Sequence, residues 1–385
     1  MAIGVTPAGP PDAAAWFAET YGREPDGAWF APGRVNLMGG PDYTEGFVLP
    51  FALGAGVTAA AARRTDRRIT LASRQQPTGR TQPTGKTELD IDTLEPGSVR
   101  GWAAYPAGVA WALRQAGYLA QGADIAIDAD LPAGAGLSSS AALECATALA
   151  LTELHQVPVP RPELAALARR AENDFAGIPS GIMDQIAALL SRAGHALLLD
   201  CRTGTGTPVP LDPAAAGLAL LVIDTRAPHA LGDGRYAERR RACERAASAL
   251  QVRSLRDVTD AGQLTRLSSD PSLQRLAGHV LAEQHRVLNA AGLLQAGHQV
   301  SLGPLLTASH HSLRDRFQFS WPQADEAVEA ALEAGAAGAR MTGGGFGGCV
   351  LALCAPDSPA LDPEAHAPRR AWRVSPSAGA ALLGR

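Results

Sequence analysis

Residues 131 to 144 read LPAGAGLSSSAALE, and an apolar run with strand character (Ala123, Ile125, Ala126, Ile127) leads into them. A strand that empties into a glycine turn and then into helix-forming text leaves the chain few conformations. Gly134 and Gly136 permit backbone angles closed to other residues and let the main chain approach a ligand closely. Ser138 to Ser140 offer hydroxyls and helix-start amides, and Ala141 to Leu151 reads as a helix whose positive dipole end faces the turn. Such a turn is an anion cradle suited to phosphate. A plain structural cap would use similar residues, so this stretch alone leaves the two readings level.

At 385 residues the chain exceeds what one core usually supports, and two domains are expected. The text shifts to turn residues around 204–212, which puts the division there. The net charge of −4 supplies no field to gather nucleic acid or an anionic membrane, so a small-molecule ligand is expected. No apolar run is long enough to span a bilayer, and the start of the chain lacks the basic and apolar segments of a signal peptide. The five cysteines are scattered without zinc spacing, in keeping with a reducing cytoplasm.

Elsewhere, short apolar runs alternate with turn residues across 28–60, the pattern of strands and loops. The flanking strands bring Arg34, Asn36 and Asp42 into one neighbourhood. The tandem repeat QPTGRT-QPTGKT at 76–87 contains Gly-Lys-Thr, but five residues separate Gly79 from Gly85 where a Walker loop needs four, and an exposed hairpin tip is expected. Text from 161 reads as an amphipathic helix closed by Gly177. After the GIPSG turn, Ile182 to Leu190 begins a second helix with Asp184 in its first turn, a place for a dipole partner or for a chemical group beside a close-approach turn. His310 and His311 are adjacent, diverge by about 100° on a helix, and have no third ligand. The chain ends with a strand, the loop GGGFGG at 343–348, and a second strand.

APGRVNLMG with DYTEGFVLP, then GAGLSSSAALE, then MTGGGFGGC resemble, in order, the three signature motifs of the GHMP small-molecule kinases. GIPSGIMDQ, GHALLLDCRT, the H-x6-Y spacing of His229 to Tyr236 and SHHSLRDRF resemble the galactose-phosphorylating branch of that family. The resemblance implies an α+β two-domain GHMP kinase fold, with a ribosomal-S5-domain-2-like N-terminal domain (1–205) and a ferredoxin-like C-terminal domain (206–385). It implies ATP-dependent phosphorylation of galactose in a cytoplasmic monomer acting on small molecules. Gly134, Ala135, Gly136, Leu137, Ser138, Ser139 and Ser140 would hold ATP; Ser140 and Glu172 would contact Mg²⁺. Asp184 would be the catalytic base, with Arg34 orienting it and stabilising the transferring charge. Asp42, Gly181 and Tyr236 would contact the sugar, and the last glycine loop would close the site. A GHMP kinase for another sugar or a polyol, and a sugar-and-ATP-binding regulator without turnover, are the alternatives.

One departure bears on the sugar. The family's first motif reads GEHTDY, whereas this chain reads GGPDY: Gly40 and Pro41 replace a Glu and a His that ordinarily bind sugar hydroxyls, and one residue is missing. Neither replacement offers a polar side chain, so altered sugar recognition is expected in a site with its phosphoryl-transfer residues intact.

Overall fold

A computed structural model describes residues 12–75, 86–132, 134–227 and 234–383. The expected hairpin tip at 76–85 and His229 lie outside the described residues.

Six strands form the largest sheet, in the order Ala381–Leu382, Gly27–Asn36, Pro50–Arg63, Ala123–Ala129, Arg68–Ser73 and Thr87–Asp90. All neighbours are antiparallel except Ala123–Ala129 with Arg68–Ser73. That parallel pair requires a crossover, which the helix Ala104–Gln115 supplies. Pro50–Arg63 is buried along almost its whole length because the sheet is covered twice. On one face Ala60, Ala62 and Ala126 meet Ala13 and Phe17 of the helix Ala13–Tyr21. On the other, Val57, Ala59 and Ala61 join the main core with Cys145 and Leu149 of the helix Ser139–Leu154. Small residues let both helices come close, which explains the alanine-rich text of the central strand.

The register of Gly27–Asn36 against its neighbour shifts between Pro32 and Arg34. Gly33 occupies the shift, and a Cβ there would lie 2.6 Å from the Leu137 carbonyl oxygen. The irregularity brings this strand against the glycine turn and re-aims Arg34 toward it, a common use of a bulge beside a site.

A second sheet pairs Phe47–Val48, His195–Asp200 and Thr205–Pro210. The third, fully antiparallel, runs Ala336–Thr342, Cys349–Cys354, Ala219–Asp224, Arg370–Val374, and one face packs against the helices Arg235–Leu250, Pro271–Gln295 and Pro322–Glu333 in a separate core. The division expected at 205/206 falls at the first residue of Thr205–Pro210, whose Val209 belongs to the first core.

The halves are clamped by charge. Arg202 bonds Glu45 and Asp257, both at 2.8 Å, and Arg256 pairs with Asp200 and bonds the Glu45 carbonyl oxygen. This ties the 42–45 turn to both halves, just beneath the site. Among the described residues no helix is long and apolar enough to cross a membrane.

Candidate active site

A cavity of about 290 Å³ opens where the two halves meet. Its lining includes Arg34, Asp42, Glu172, Gly181, Asp184, Tyr236 and the loop residues 134 and 136–140. Of the residues expected to form the site, Ala135 alone is not in that lining: its side chain is 3% exposed and points into the core. Leu137 is also buried, lines the cavity, and gives its carbonyl oxygen to the Arg34 amide.

Asp184 stands in the first turn of Met183–Leu190. Its carboxylate takes a bidentate fork from Arg34, Nε to Oδ1 and Nη2 to Oδ2, each 2.8 Å, and the Ser138 hydroxyl donates to Oδ2 at 2.5 Å. The remaining Arg34 nitrogen, Nη1, donates to the Gly136 carbonyl at 2.9 Å, and the Arg34 amide donates to the Leu137 carbonyl at 3.1 Å. Arg34 therefore locks the carboxylate to the glycine loop as one unit, a geometry that Lys cannot reproduce.

The loop turns through positive φ at Gly134 and Gly136 (73° and 71°) and again at Ser138 (60°). Ser138 was expected at a helix start facing phosphate. It instead sits in a left-handed conformation just before the helix Ser139–Leu154, makes no side-chain cap, and directs its hydroxyl to Asp184. The competing hydrogen bond to a charged acceptor decides its orientation. The last glycine loop packs directly on this turn: a Cβ at Gly343 would lie 2.8 Å from the Gly136 carbonyl oxygen.

Beside Asp184, Asp42 opens the short turn Asp42–Thr44, and its Oδ2 accepts the amide of Met183, the residue before Asp184, at 3.0 Å. Burial, followed by the nearby Asp184 charge, pushes the Asp42 carboxyl above its ordinary range. Gly181 abuts this carboxylate so closely that a Cβ would fall 1.9 Å from its Cγ. Tyr236, at the start of Arg235–Leu250, packs edge-on against Tyr43 with centroids 5.1 Å apart. Burial and the Asp42 and Asp184 charges raise its phenol well above the usual value, so it is a neutral hydroxyl at pH 7.

Glu172 ends up beside the helix start of the loop because the 161–170 helix runs into a wider π-type turn, Ala171–Phe175. Its Oε2 accepts from Ser180 Oγ at 2.7 Å and Gln185 Nε2 at 2.9 Å, and the Ser140 hydroxyl bonds the same carboxylate. Burial raises its carboxyl. Gln185 also donates to the fully buried Glu144 at 3.0 Å. Sequence reasoning missed Glu144 and Gln185, although Glu144 is the first charge in a long apolar helix. It also missed Arg340, 2% exposed, which lines the cavity and donates from Nη2 to the Gly39 carbonyl at 2.9 Å. The signal was a lone cation between apolar strand residues.

Profiles described as "GHMP kinases N terminal domain", "Galactokinase galactose-binding signature" and "GHMP kinases C terminal" match residues 104–192, 15–63 and 290–369. A galactokinase of Streptomyces coelicolor is 45% identical over 341 residues, 88% of this chain and 87% of that protein; one of Mycobacterium tuberculosis is 46% identical over 85% and 88%. The chain belongs to the galactokinase family. The crystal structure of Lactococcus lactis galactokinase complexed with galactose superposes with a TM-score of 0.89 at 32% identity, covering 96% of this chain and 98% of that one. A Methanococcus jannaschii mevalonate kinase superposes at 0.63 with 15% identity over 91% and 98%, a likeness of fold. Galactokinase-family membership makes the chain a phosphotransferase that uses ATP. The galactose-binding signature spans both Arg34 and the divergent Gly40-Pro41 pair.

Proposed function

We propose that the chain transfers the γ-phosphoryl group of ATP to the C1 hydroxyl of galactose, giving galactose 1-phosphate and ADP. The observation that carries this reading is the Arg34 fork on Asp184, joined to the glycine loop through Gly136 and Leu137.

Backbone amides of residues 134–140 and the helix dipole hold the triphosphate. Asp42, Gly181 and Tyr236 hold the sugar. The C1 oxygen attacks the γ-phosphorus as the bond to ADP breaks, and Asp184 accepts the hydroxyl proton. The transition state is loose, so positioning and charge stabilisation carry most of the acceleration. Arg34 contributes to both: it fixes the Asp184 carboxylate and places positive charge where negative charge spreads.

Mg²⁺ is part of the same proposal. The donors beside the loop, the Glu172 carboxylate and the Ser140 hydroxyl, are hard oxygens. Among the described residues no cluster of three or more His, Cys, Asp or Glu could hold a metal by itself. That set suits Mg²⁺, which is commonly held by one or two protein oxygens together with substrate phosphates. When bound, the ion neutralises phosphate charge. We further propose a cytoplasmic monomer without nucleic-acid or membrane partners, in keeping with its charge and five unpaired cysteines.

The test is Mg²⁺-dependent ATP turnover by purified protein on galactose, galactosamine, N-acetylgalactosamine, glucose, arabinose and mevalonate. Turnover on galactose with the 1-phosphate as product is expected. Activity on another member and none on galactose would reassign the substrate; no turnover at all would favour a sensor.

A further inference from the structure

The polar side chains missing at positions 40 and 41 leave a gap, and an unsatisfied nitrogen faces it. His279, on Pro271–Gln295, is fully buried. Its Nδ1 pairs with Ser312 Oγ at 2.8 Å and its ring lies 4.8 Å from that of Phe317, while Nε2 has no hydrogen-bond partner. A Cβ built on Gly40 would sit 3.5 Å from that Nε2. Gly40 and Pro41 form a thin partition: they line the main cavity on one side. On the other they line a side cavity of about 10 Å³ with His279, Thr44 and Gln284. That volume holds about one water. The partition is itself pinned, since Gly39 donates its amide to Glu283 at 3.2 Å and its carbonyl accepts from Arg340 and Asn36.

We propose that His279 is a specificity-determining residue for the sugar, its Nε2 reading one hydroxyl past the bare backbone of Gly40 by way of a single water in the side cavity. The inference rests on the galactose reading above. A buried polar atom without a partner is costly, and a sugar bound against the partition brings hydroxyls to its open side. Gly40 is what allows the contact, because a side chain there would point at the imidazole Nε2 and take the place of the water. The long helix Pro271–Gln295 thereby supplies recognition that the first motif of this chain has lost.

The test compares wild type, His279→Leu and Gly40→Ala on galactose and on each of its mono-deoxy analogues, with the KM for ATP and the melting temperature measured in parallel. Gly40→Ala adds a methyl group at ordinary contact distance and leaves the histidine in place, so it carries the test if His279→Leu fails to fold. In wild type one deoxy sugar is expected to lose about ten- to a hundredfold in kcat/KM. Both variants should lose a similar factor on galactose, chiefly through KM, and lose nothing further on that one analogue, while the KM for ATP stays within about twofold. A galactose KM unchanged in Gly40→Ala, or a loss shared equally by every sugar, would overturn the assignment to His279. Wild-type protein that neither binds nor phosphorylates galactose would instead overturn the galactose reading.

Discussion

Arg34 and Asp184, 150 positions apart in the chain, meet in a two-bond fork with both distances at 2.8 Å. Arg34 is 5% exposed and has every nitrogen engaged, whereas the Asp184 side chain keeps 26% of its surface open to the cavity. One partner is fixed in the wall; the other faces the substrate.

Arg34→Ala should therefore cost more than a surface ion pair would. Losing a preorganised charge-stabilising donor typically lowers the rate by about 10²- to 10³-fold. Arg34→Lys should recover little of this, because a single ammonium cannot reproduce the fork and the Gly136 bond together. Single-turnover rates with saturating ATP and galactose check both; a Lys variant near wild-type rate would show that charge alone suffices.

Asp184→Asn keeps the shape of the side chain and removes the proton acceptor. The expected loss is about 10²- to 10⁴-fold in kcat, with the ATP dissociation constant within a few-fold of wild type by calorimetry. Near-normal kcat would mean that Asp184 is not the base.

Gly181→Ala places a methyl group where the Asp42 carboxylate now sits. Asp42 cannot move freely, since it also accepts the Met183 amide. Overpacking of this kind costs about 1–3 kcal/mol. The KM for galactose should rise about tenfold or more while the KM for ATP changes little, and a KM ratio that stays constant would contradict the sugar assignment of this wall.

Glu283 gives a pH-dependent prediction. Burial acts to raise its carboxyl, but Arg340, His279 and Arg286 outweigh it, and the group is held down to about 2 from 4.5. A carboxyl depressed on folding contributes stability that is fully present above about 4.5 and is lost as pH falls toward 2. Glu283→Gln leaves Arg340 buried without its charge partner, and at pH 7 should destabilise by about 3–5 kcal/mol. The gap between wild type and variant in denaturant melts should close as the pH is lowered from 4.5 toward 2; a constant gap would rule out the ionic origin.

Much of this was legible in the text. The glycine turn, the strands flanking Arg34 and the first-turn position of Asp184 are set by neighbours within a few residues, through backbone freedom, apolar periodicity and helix-end chemistry. The order of three motifs named the family, and all but one of the expected site residues line a single cavity. The partners of those residues were not legible. Ser138 is a helix-start serine by local rules, yet its hydroxyl goes to Asp184 across 46 positions. For Tyr236 nothing local separates a ligand contact from core packing, because one aromatic residue at a helix start looks the same in either role; the expectation of a sugar contact came only from the family resemblance.

The sequence by itself determined the kinds of element, the anion-binding turn and the chemical groups available to the site. Tertiary structure decided which groups touch: the Arg34 fork, the Gly181 contact with Asp42, and the open Nε2 of His279 behind Gly40. The physical reason is range. Backbone conformation responds to adjacent residues, whereas ion pairs, close approaches and unfilled gaps arise only when packing of two cores brings distant segments within a few ångströms.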